Sequence, residues 1–381
     1  MTYAPPLHTG PASDLSFGQE EGVVWVIGKD GSTRGEHDPR LDSALALSIY
    51  KAMMRTRLID QQLERLQRQG RIGFHVGALG EEAAIVASAA ALRPQDWIFP
   101  CYREIGALLW RDFPLRTYVD NMFGNAEDVV RGRQMPDHYV SRKLHYASVS
   151  SPIGTQITHA VGMGWAARLQ KEACAAATYF GDGATSSNDF HAGLNFAGVF
   201  KAPVLFLCRN NRWAISIPVE HQSASATIAD KGRAYGVTSV RCDGNDALAV
   251  YSVTKAALER ALQGDGPTLI ELLTYRLGGH STSDDPKIYR SVDELAKHQA
   301  GDPLLRMRSY LERRGLWSNK EEEEYQREVE EELRACVRAA EEVEKPSLQD
   351  LTTDVYEERP WHLDLQTEEL EMGQRPRDPH R

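Results

Sequence analysis

Three apolar runs constrain the fold of this chain more than any other feature: AAATYF at 175–180, PVLFLC at 203–208 and TLIELLTY at 268–275. Each has the length of a strand. None alternates apolar with polar residues, as a strand with one wet face would, so each is expected to be buried on both faces. The intervening stretches 187–200, 224–235 and 247–262 carry helical patterns, and TSVRC at 238–242 reads as a further strand. Strands buried on both faces and alternating with helices require a parallel sheet covered on each side, so the expected class is α/β. Sheets of this kind bind ligands just beyond the carboxyl ends of their strands.

The flanking segments set the domain plan. From Leu41 apolar residues recur at helical spacing (Leu45, Ile49, Met53, Leu58, Leu63, Leu66) until Gly70 stops the pattern. Residues 80–92 are small and apolar, as in a buried helix, with Pro94 beyond the end. At the other end, Ser318 and Glu321 have the spacing of a capping box, and the acidic helix that they open runs to Pro346. Its charges are those of a solvated face. The plan is an N-terminal extension over 1–40, lying on a surface around the short run VVWVIG; an α/β domain over 41–346; and a polar segment over 347–381, either a tail or an arm around a partner.

Composition excludes several functions. The formal net charge is −10 over 381 residues, with no basic tract, which argues against a nucleic-acid partner. Five scattered cysteines, odd in number and without a Cys-x-x-Cys pair, argue against a disulfide framework or a thiolate metal site. MTYAPPLHTGPASDLS lacks the basic and apolar regions of a secretory signal. No apolar run approaches the ~18 residues that would read as a membrane span. The expected location is the cytoplasm.

The chemistry is expected at the strand ends. The first run ends in Gly181-Asp182-Gly183, and a helical stretch follows. Glycines between strand and helix suit a phosphate, whose oxygens approach bare backbone N–H groups. A carboxylate beside phosphate is repelled, however, unless a cation stands between them. Asn211 follows the second run. An aspartate and an asparagine at neighbouring strand ends offer hard oxygens suited to Mg2+, which also keeps phosphate oxygens and water. Taken alone, Gly-Asp-Gly is equally a plain turn; the pairing with Asn211 is the more specific signal.

Read together, GDG followed by about thirty residues and NN resembles the thiamine-diphosphate motif. GRQMPDHY (132–139), SSPIGTQITHAVG (150–162), CRNNRWAIS (208–216), VRCDGND (240–246) and TYRLGGHSTSDDPKIYRS (274–291) extend the likeness over residues 45–355. The chain resembles α subunits of the E1 component of 2-oxo acid dehydrogenase complexes, and branched-chain members most.

That resemblance implies roles position by position. Asp182, the amide oxygen of Asn211 and the backbone carbonyl of Trp213 would ligate Mg2+; the family often has Tyr at this last position, which a backbone ligand tolerates. Gly181, Gly183 and Ala184 would let the backbone approach the cofactor. Tyr102, Arg103, Arg209 and His280 would hold the diphosphate, although Arg103 in isolation would be read as a surface ion pair with Glu104. Ser151 and Ile153 would support the middle of the cofactor; in isolation Ile153 reads as core. Ser150, Pro152, Thr155 and Gln156 resemble a loop that binds a monovalent cation such as K+. His280 is the first catalytic candidate and His138 the second. Phe74 is a candidate wall for an aliphatic substrate tail. Ser281 and Ser291 match serines that kinases modify in mitochondrial members, and are otherwise loop residues.

The implied reaction is oxidative decarboxylation of a branched-chain 2-oxo acid, with transfer of the acyl group to the lipoyl group of an E2 partner. No residue here supplies the glutamate that activates the cofactor in this family. A β subunit would provide it, in an α2β2 heterotetramer. Pyruvate or acetoin as substrate, a Mg2+-dependent phosphoryl transfer and a non-catalytic scaffold subunit are the alternatives.

Overall fold

A computed structural model describes residues 22–28, 30–35 and 37–373. Most of the expected N-terminal extension, and the last residues of the C-terminal segment, lie outside the described residues. Elements follow in the order β1 (Val23–Val24), α1 (Ser43–Arg68), α2 (Glu82–Ala91), β2 (Trp97–Phe99), α3 (Ile105–Trp110), α4 (Leu115–Phe123), α5 (Thr155–Gln170), β3 (Ala176–Gly181), α6 (Asn188–Phe200) and β4 (Val204–Asn210). A small hairpin comes next, β5 (Trp213–Ala214) with β6 (Ile217–Pro218). It is followed by α7 (Asp230–Arg233), β7 (Thr238–Asp243), α8 (Ala247–Leu262), β8 (Thr268–Leu273), α9 (Val292–Gln299), α10 (Pro303–Arg313), α11 (Asn319–Glu341) and α12 (Trp361–Met372).

The main sheet has strand order β1-β7-β8-β4-β3-β2, and every pairing is parallel. The expected α/β class is what the structure shows. Period-two geometry sends alternate side chains of the central strands into two separate cores. Ala177, Tyr179, Leu205, Leu207, Ile270 and Leu272 point to one, which α1, α2, α3, α8, α10 and α11 complete. Ala176, Phe180, Val204, Phe206, Cys208 and Leu269 point to the other, against Ile157 and Ala160 of α5 and Phe190 and Leu194 of α6. This is the physical meaning of the continuous apolar runs.

Local chemistry sets the helix ends. Asp42 caps α1 by accepting the Leu45 N–H at 2.8 Å, and Ser187 caps α6 by accepting that of Phe190 at 3.2 Å. Ser318 caps α11 as expected, although Glu321 answers with a bond to the Ser318 hydroxyl (2.7 Å). On α1, Ile49, Met53, Leu63 and Leu66 are fully covered; each buried side chain of this size contributes about 1.5–3 kcal/mol.

Three stretches differ from expectation. The helix expected at 224–235 is reduced to α7, because Ser225 and Thr227 bond locally: Ser225 Oγ donates to the Thr227 carbonyl (2.7 Å), and Thr227 exchanges bonds with Asp230. The run at 23–28 does not simply lie on a surface. Val23 and Val24 pair with Arg241 and Cys242 at the sheet edge, and the Val26 and Ile27 amides donate to Asp246 at 2.7 and 2.6 Å. A two-residue strand is too short to leave a periodic signal. Beyond Pro346 the chain folds into α12, whose Trp361 is 73 % exposed.

All five cysteines are free. Among the described residues no helix is long and apolar enough to cross a membrane.

Candidate functional site

β3 and β4 lie side by side, with Gly181 opposite Arg209, so Asp182 and Asn211 leave the sheet from adjacent strand ends on one rim. β8, on the other side of β4, ends beside them: the Thr274 amide donates to the Asn210 carbonyl at 3.0 Å. Asp182 opens a short 3-10 turn that leads into α6. The two glycines are not equivalent. A methyl group on Gly183 would sit 2.7 Å from the Ala214 Cβ, whereas at Gly181 the nearest atom would be 3.9 Å away. Only Gly183 is required by close packing. Ala184 is buried.

Asp182 is 1 % exposed, and burial pushes its carboxyl up to about 7. Gln222 Nε2 lies within hydrogen-bond range of it, at 3.4 Å. Asn211 Oδ1 accepts the Trp213 N–H at 3.2 Å, and the Trp213 carbonyl accepts Arg276 Nη1 at 3.2 Å. A buried carboxylate that has no direct cationic partner among the described residues, beside amide and carbonyl oxygens, fits a hard divalent cation. No group of three or more His, Cys, Asp or Glu able to hold a metal occurs among the described residues. A cation here would therefore draw further oxygens from a ligand.

Arg103, Arg209 and Arg276 are 3 %, 1 % and 1 % exposed. Arg209 is clamped between the buried carboxylates of Glu81 and Glu104. Glu104 is thus a partner of Arg209, and the surface pair Arg103–Glu104 does not form. Arg103 donates to the Gly77 carbonyl (2.5 Å), the His280 carbonyl (2.8 Å) and His280 Nδ1 (3.1 Å). Among the described residues, the Nε atoms of Arg209 and Arg276 are buried without acceptors. Free buried donors of this kind fit an incoming anion.

His280 is fixed in one tautomer. Arginine cannot accept, so Nδ1 is the unprotonated nitrogen and Nε2 carries the hydrogen. Burial, then the charges of Arg103 and Arg276, pull its pKa down to about 4. At neutral pH it is therefore a hydrogen-bond donor rather than an imidazolium. Tyr102 meets the imidazole edge-on at 5.8 Å. The loop is held from behind: Asp284 accepts the His280 amide (2.6 Å) and the Tyr289 hydroxyl (2.5 Å), and Arg276 donates to that same hydroxyl (2.7 Å).

Across the rim, His138 is buried. Its Nδ1 lies 3.1 Å from the Pro136 carbonyl, which can only accept, so Nε2 is free to accept the Ser151 hydroxyl at 2.5 Å. His138 and Ser151 thus form one unit. Ile153 is 44 % exposed at the start of α5, so it is not core. Ser150 and Thr155 are half-buried and Pro152 is exposed. Gln156 is buried; its Nε2 donates to the Tyr179 carbonyl (2.9 Å), while its Oε1 has no partner among the described residues. An orphaned oxygen in the first turn of α5 fits a cation ligand. Phe74 is half-buried, in a segment whose next residue, His75, exchanges bonds with Thr282.

A family model described as "Dehydrogenase E1 component" matches residues 50–349. The chain belongs to the dehydrogenase E1 component family. The chain is 49 % identical over 325 residues to 2-oxoisovalerate dehydrogenase subunit alpha 2, mitochondrial, of Arabidopsis thaliana, covering 85 % of this chain and 69 % of that one. The corresponding Caenorhabditis elegans subunit is 45 % identical (88 % and 78 % covered) and that of Homo sapiens 43 % identical (87 % and 75 % covered). Membership in the E1 family implies dependence on thiamine diphosphate and a 2-oxo acid substrate. The relatives are α subunits, which implies a β partner.

The family assignment corrects one expectation. Each of these relatives is named as a mitochondrial protein, which overturns the cytoplasmic reading. Lack of a basic and an apolar region at the N-terminus speaks only of a secretory signal.

Sequence reasoning about the E1 site missed Glu81, Arg276 and His75. Glu81 and Glu82 lie in the stretch expected to be a buried helix, and both are fully buried. His75 is buried between Asp60 Oδ1 (3.2 Å) and Asp137 Oδ2 (3.1 Å). Burial lowers the basicity of its ring, but Asp137 and Asp60 outweigh that and push its pKa up to about 10.

Proposed function

We propose that this chain is the α subunit of a branched-chain 2-oxo acid dehydrogenase and carries the diphosphate and metal half of its active site. The observation that carries the reading is the pair Asp182 and Asn211 on adjacent strand ends, backed by buried Arg103, Arg209 and Arg276. Asp182, Asn211 Oδ1 and the Trp213 carbonyl would hold Mg2+. Tyr102, Arg103, Arg209 and His280 would face the diphosphate, with Gly181, Gly183 and Ala184 as the backbone cradle. Ser151, turned by His138, and Ile153 would meet the middle of the cofactor. Ser150, Pro152, Thr155 and Gln156 would take a monovalent cation such as K+.

Thiamine diphosphate, when bound, supplies the electron sink for decarboxylation. This chain's part is to orient and to polarise. Nε2–H of His280 donates toward the reacting region, and a bound diphosphate would raise the pKa of that imidazole and let it hold a proton. Arg103 fixes the ring by its bonds to Nδ1 and to the backbone carbonyl. A β subunit would complete an α2β2 heterotetramer, and a lipoylated E2 would take the acyl group. The names of the relatives support 2-oxoisovalerate as the substrate.

The test is reconstitution. The chain alone should release no CO2 from 3-methyl-2-oxobutanoate, and addition of the β subunit should restore turnover. Each methylene of the substrate tail is worth about 1–3 kcal/mol, so kcat/KM for pyruvate should be lower by at least about ten-fold. Equal or greater kcat/KM for pyruvate rejects the branched-chain assignment, and full activity without the β subunit rejects the half-site.

A further inference from the structure

Glu81 immediately precedes α2, has no exposed surface, and is not used by the chemistry described so far. Its Oε1 accepts Nδ2 of Asn211 at 2.8 Å, and its Oε2 accepts Nη1 of Arg209. Arg103 Nε lies 3.9 Å from Oε1. A carboxylate can only accept, so the nitrogen of the Asn211 amide must face Glu81. The opposite end agrees: Asn211 Oδ1 accepts the backbone N–H of Trp213 at 3.2 Å, and an N–H cannot be satisfied by the amide NH2. The amide is locked from both ends, with its oxygen turned away from Glu81 and a second lone pair left over.

We propose that Glu81 is a positioning residue for the divalent cation: it holds Asn211 with oxygen, not nitrogen, presented to the metal. This rests on the Mg2+ reading given above. Without the carboxylate only the Trp213 N–H still holds the amide oxygen in place, and an amide that turns points its NH2 at the cation and repels it. Arg209 is held by the same carboxylate, so Glu81 ties the metal end of the site to its anion end. The lock works across a separation of 130 residues.

The experiment uses the assembled complex with the β subunit. It titrates Mn2+ in the presence of thiamine diphosphate and follows free Mn2+ by electron paramagnetic resonance. Glu81→Gln, which offers one acceptor and one donor where two acceptors are needed, should weaken Mn2+ binding by about ten-fold or more. Asn211→Asp alone should also weaken it, because it sets a second carboxylate against Glu81, even though an added negative charge would otherwise favour a cation. The double variant Glu81→Gln/Asn211→Asp should bind within about three-fold of wild type. In it the amide introduced before α2 can donate to the carboxylate introduced after β4, which leaves one oxygen of that carboxylate for the metal. That reciprocal rescue is not expected of a residue that merely stabilises the fold.

Wild-type Mn2+ affinity in Glu81→Gln overturns the proposal, as does a double variant no better than either single one. If Glu81→Gln does not assemble, Asn211→Asp decides: tighter Mn2+ binding with Glu81 in place overturns the proposal, and weaker binding supports it. A wild-type complex that binds no Mn2+ with thiamine diphosphate present overturns the metal site itself. This outcome is distinct from failure of the Glu81 lock.

Discussion

The Ser151 hydroxyl lies 2.5 Å from Nε2 of His138, a residue buried behind it. The histidine donates its one ring N–H, on Nδ1, toward the Pro136 carbonyl, so Nε2 accepts, the serine proton is committed inward and the serine oxygen is left to accept. Replacing His138 by Phe frees that hydroxyl to rotate. A hydrogen bond of this kind is worth about 1 kcal/mol, so thiamine diphosphate should bind about five-fold more weakly in His138→Phe. Ser151→Ala should cost a similar amount, and the double variant no more than either. Calorimetry on the assembled complex measures all three; strictly additive losses would show that the two residues act separately.

Gly183 and Gly181 should answer differently to the same substitution. Gly183→Ala puts a methyl group 2.7 Å from the Ala214 Cβ and should destabilise the chain by about 1–3 kcal/mol. Gly181→Ala meets only the Arg209 carbonyl at 3.9 Å, at an ordinary backbone φ of −87°, and should change stability little. Ala214→Gly should relieve the first variant. Denaturant unfolding of the three variants tests the contrast, and equal effects at the two glycines would refute it.

His75 carries a pH signature. Its pKa in the folded chain is about 10, above the ordinary 6.5, so its pairing with Asp60 and Asp137 contributes fully below about pH 6.5. The contribution is lost as pH rises toward 10. His75→Gln leaves two buried carboxylates without a cation and should cost about 3–5 kcal/mol near neutral pH. Thermal unfolding from pH 6 to 10 should show a falling midpoint in the wild type that is flatter in the variant; parallel profiles would assign the alkaline loss to other groups.

The loop that carries His280 depends on Asp284. This carboxylate accepts both the His280 amide and the Tyr289 hydroxyl. Asp284→Ala removes both restraints, and hydrogen exchange over 279–290 should quicken while the β3–β4 core keeps its protection. Unchanged exchange in the loop would place its restraint elsewhere.

The fold was legible where burial was uniform. The apolar runs of β3, β4 and β8 named the parallel sheet because such residues have no wet face to accommodate. Asp182 and Asn211 were legible because each directly follows a strand, and parallel neighbours bring their ends together. Glu81 was not: its partners Arg209 in β4 and Asn211 just after it are far away in sequence, and only the fold brings them onto it. Arg103 beside Glu104 read as a local pair, yet the carboxylate pairs with Arg209, far away in sequence. The helix expected over 224–235 failed because hydroxyl side chains took up local bonds, and β1 passed unseen because two residues make no period.

Because every strand of the main sheet runs the same way, its two rims do different work. The turns that enter β4 and β8, around Lys201 and Asp265, lie on the rim opposite Asp182 and Asn211. Asp265 is exposed and the turn around it is short. A fluorescent dye or affinity handle placed there would sit on the far side of the sheet from the metal and anion groups. The same architecture that gathers the chemistry on one edge leaves a second edge open to engineering.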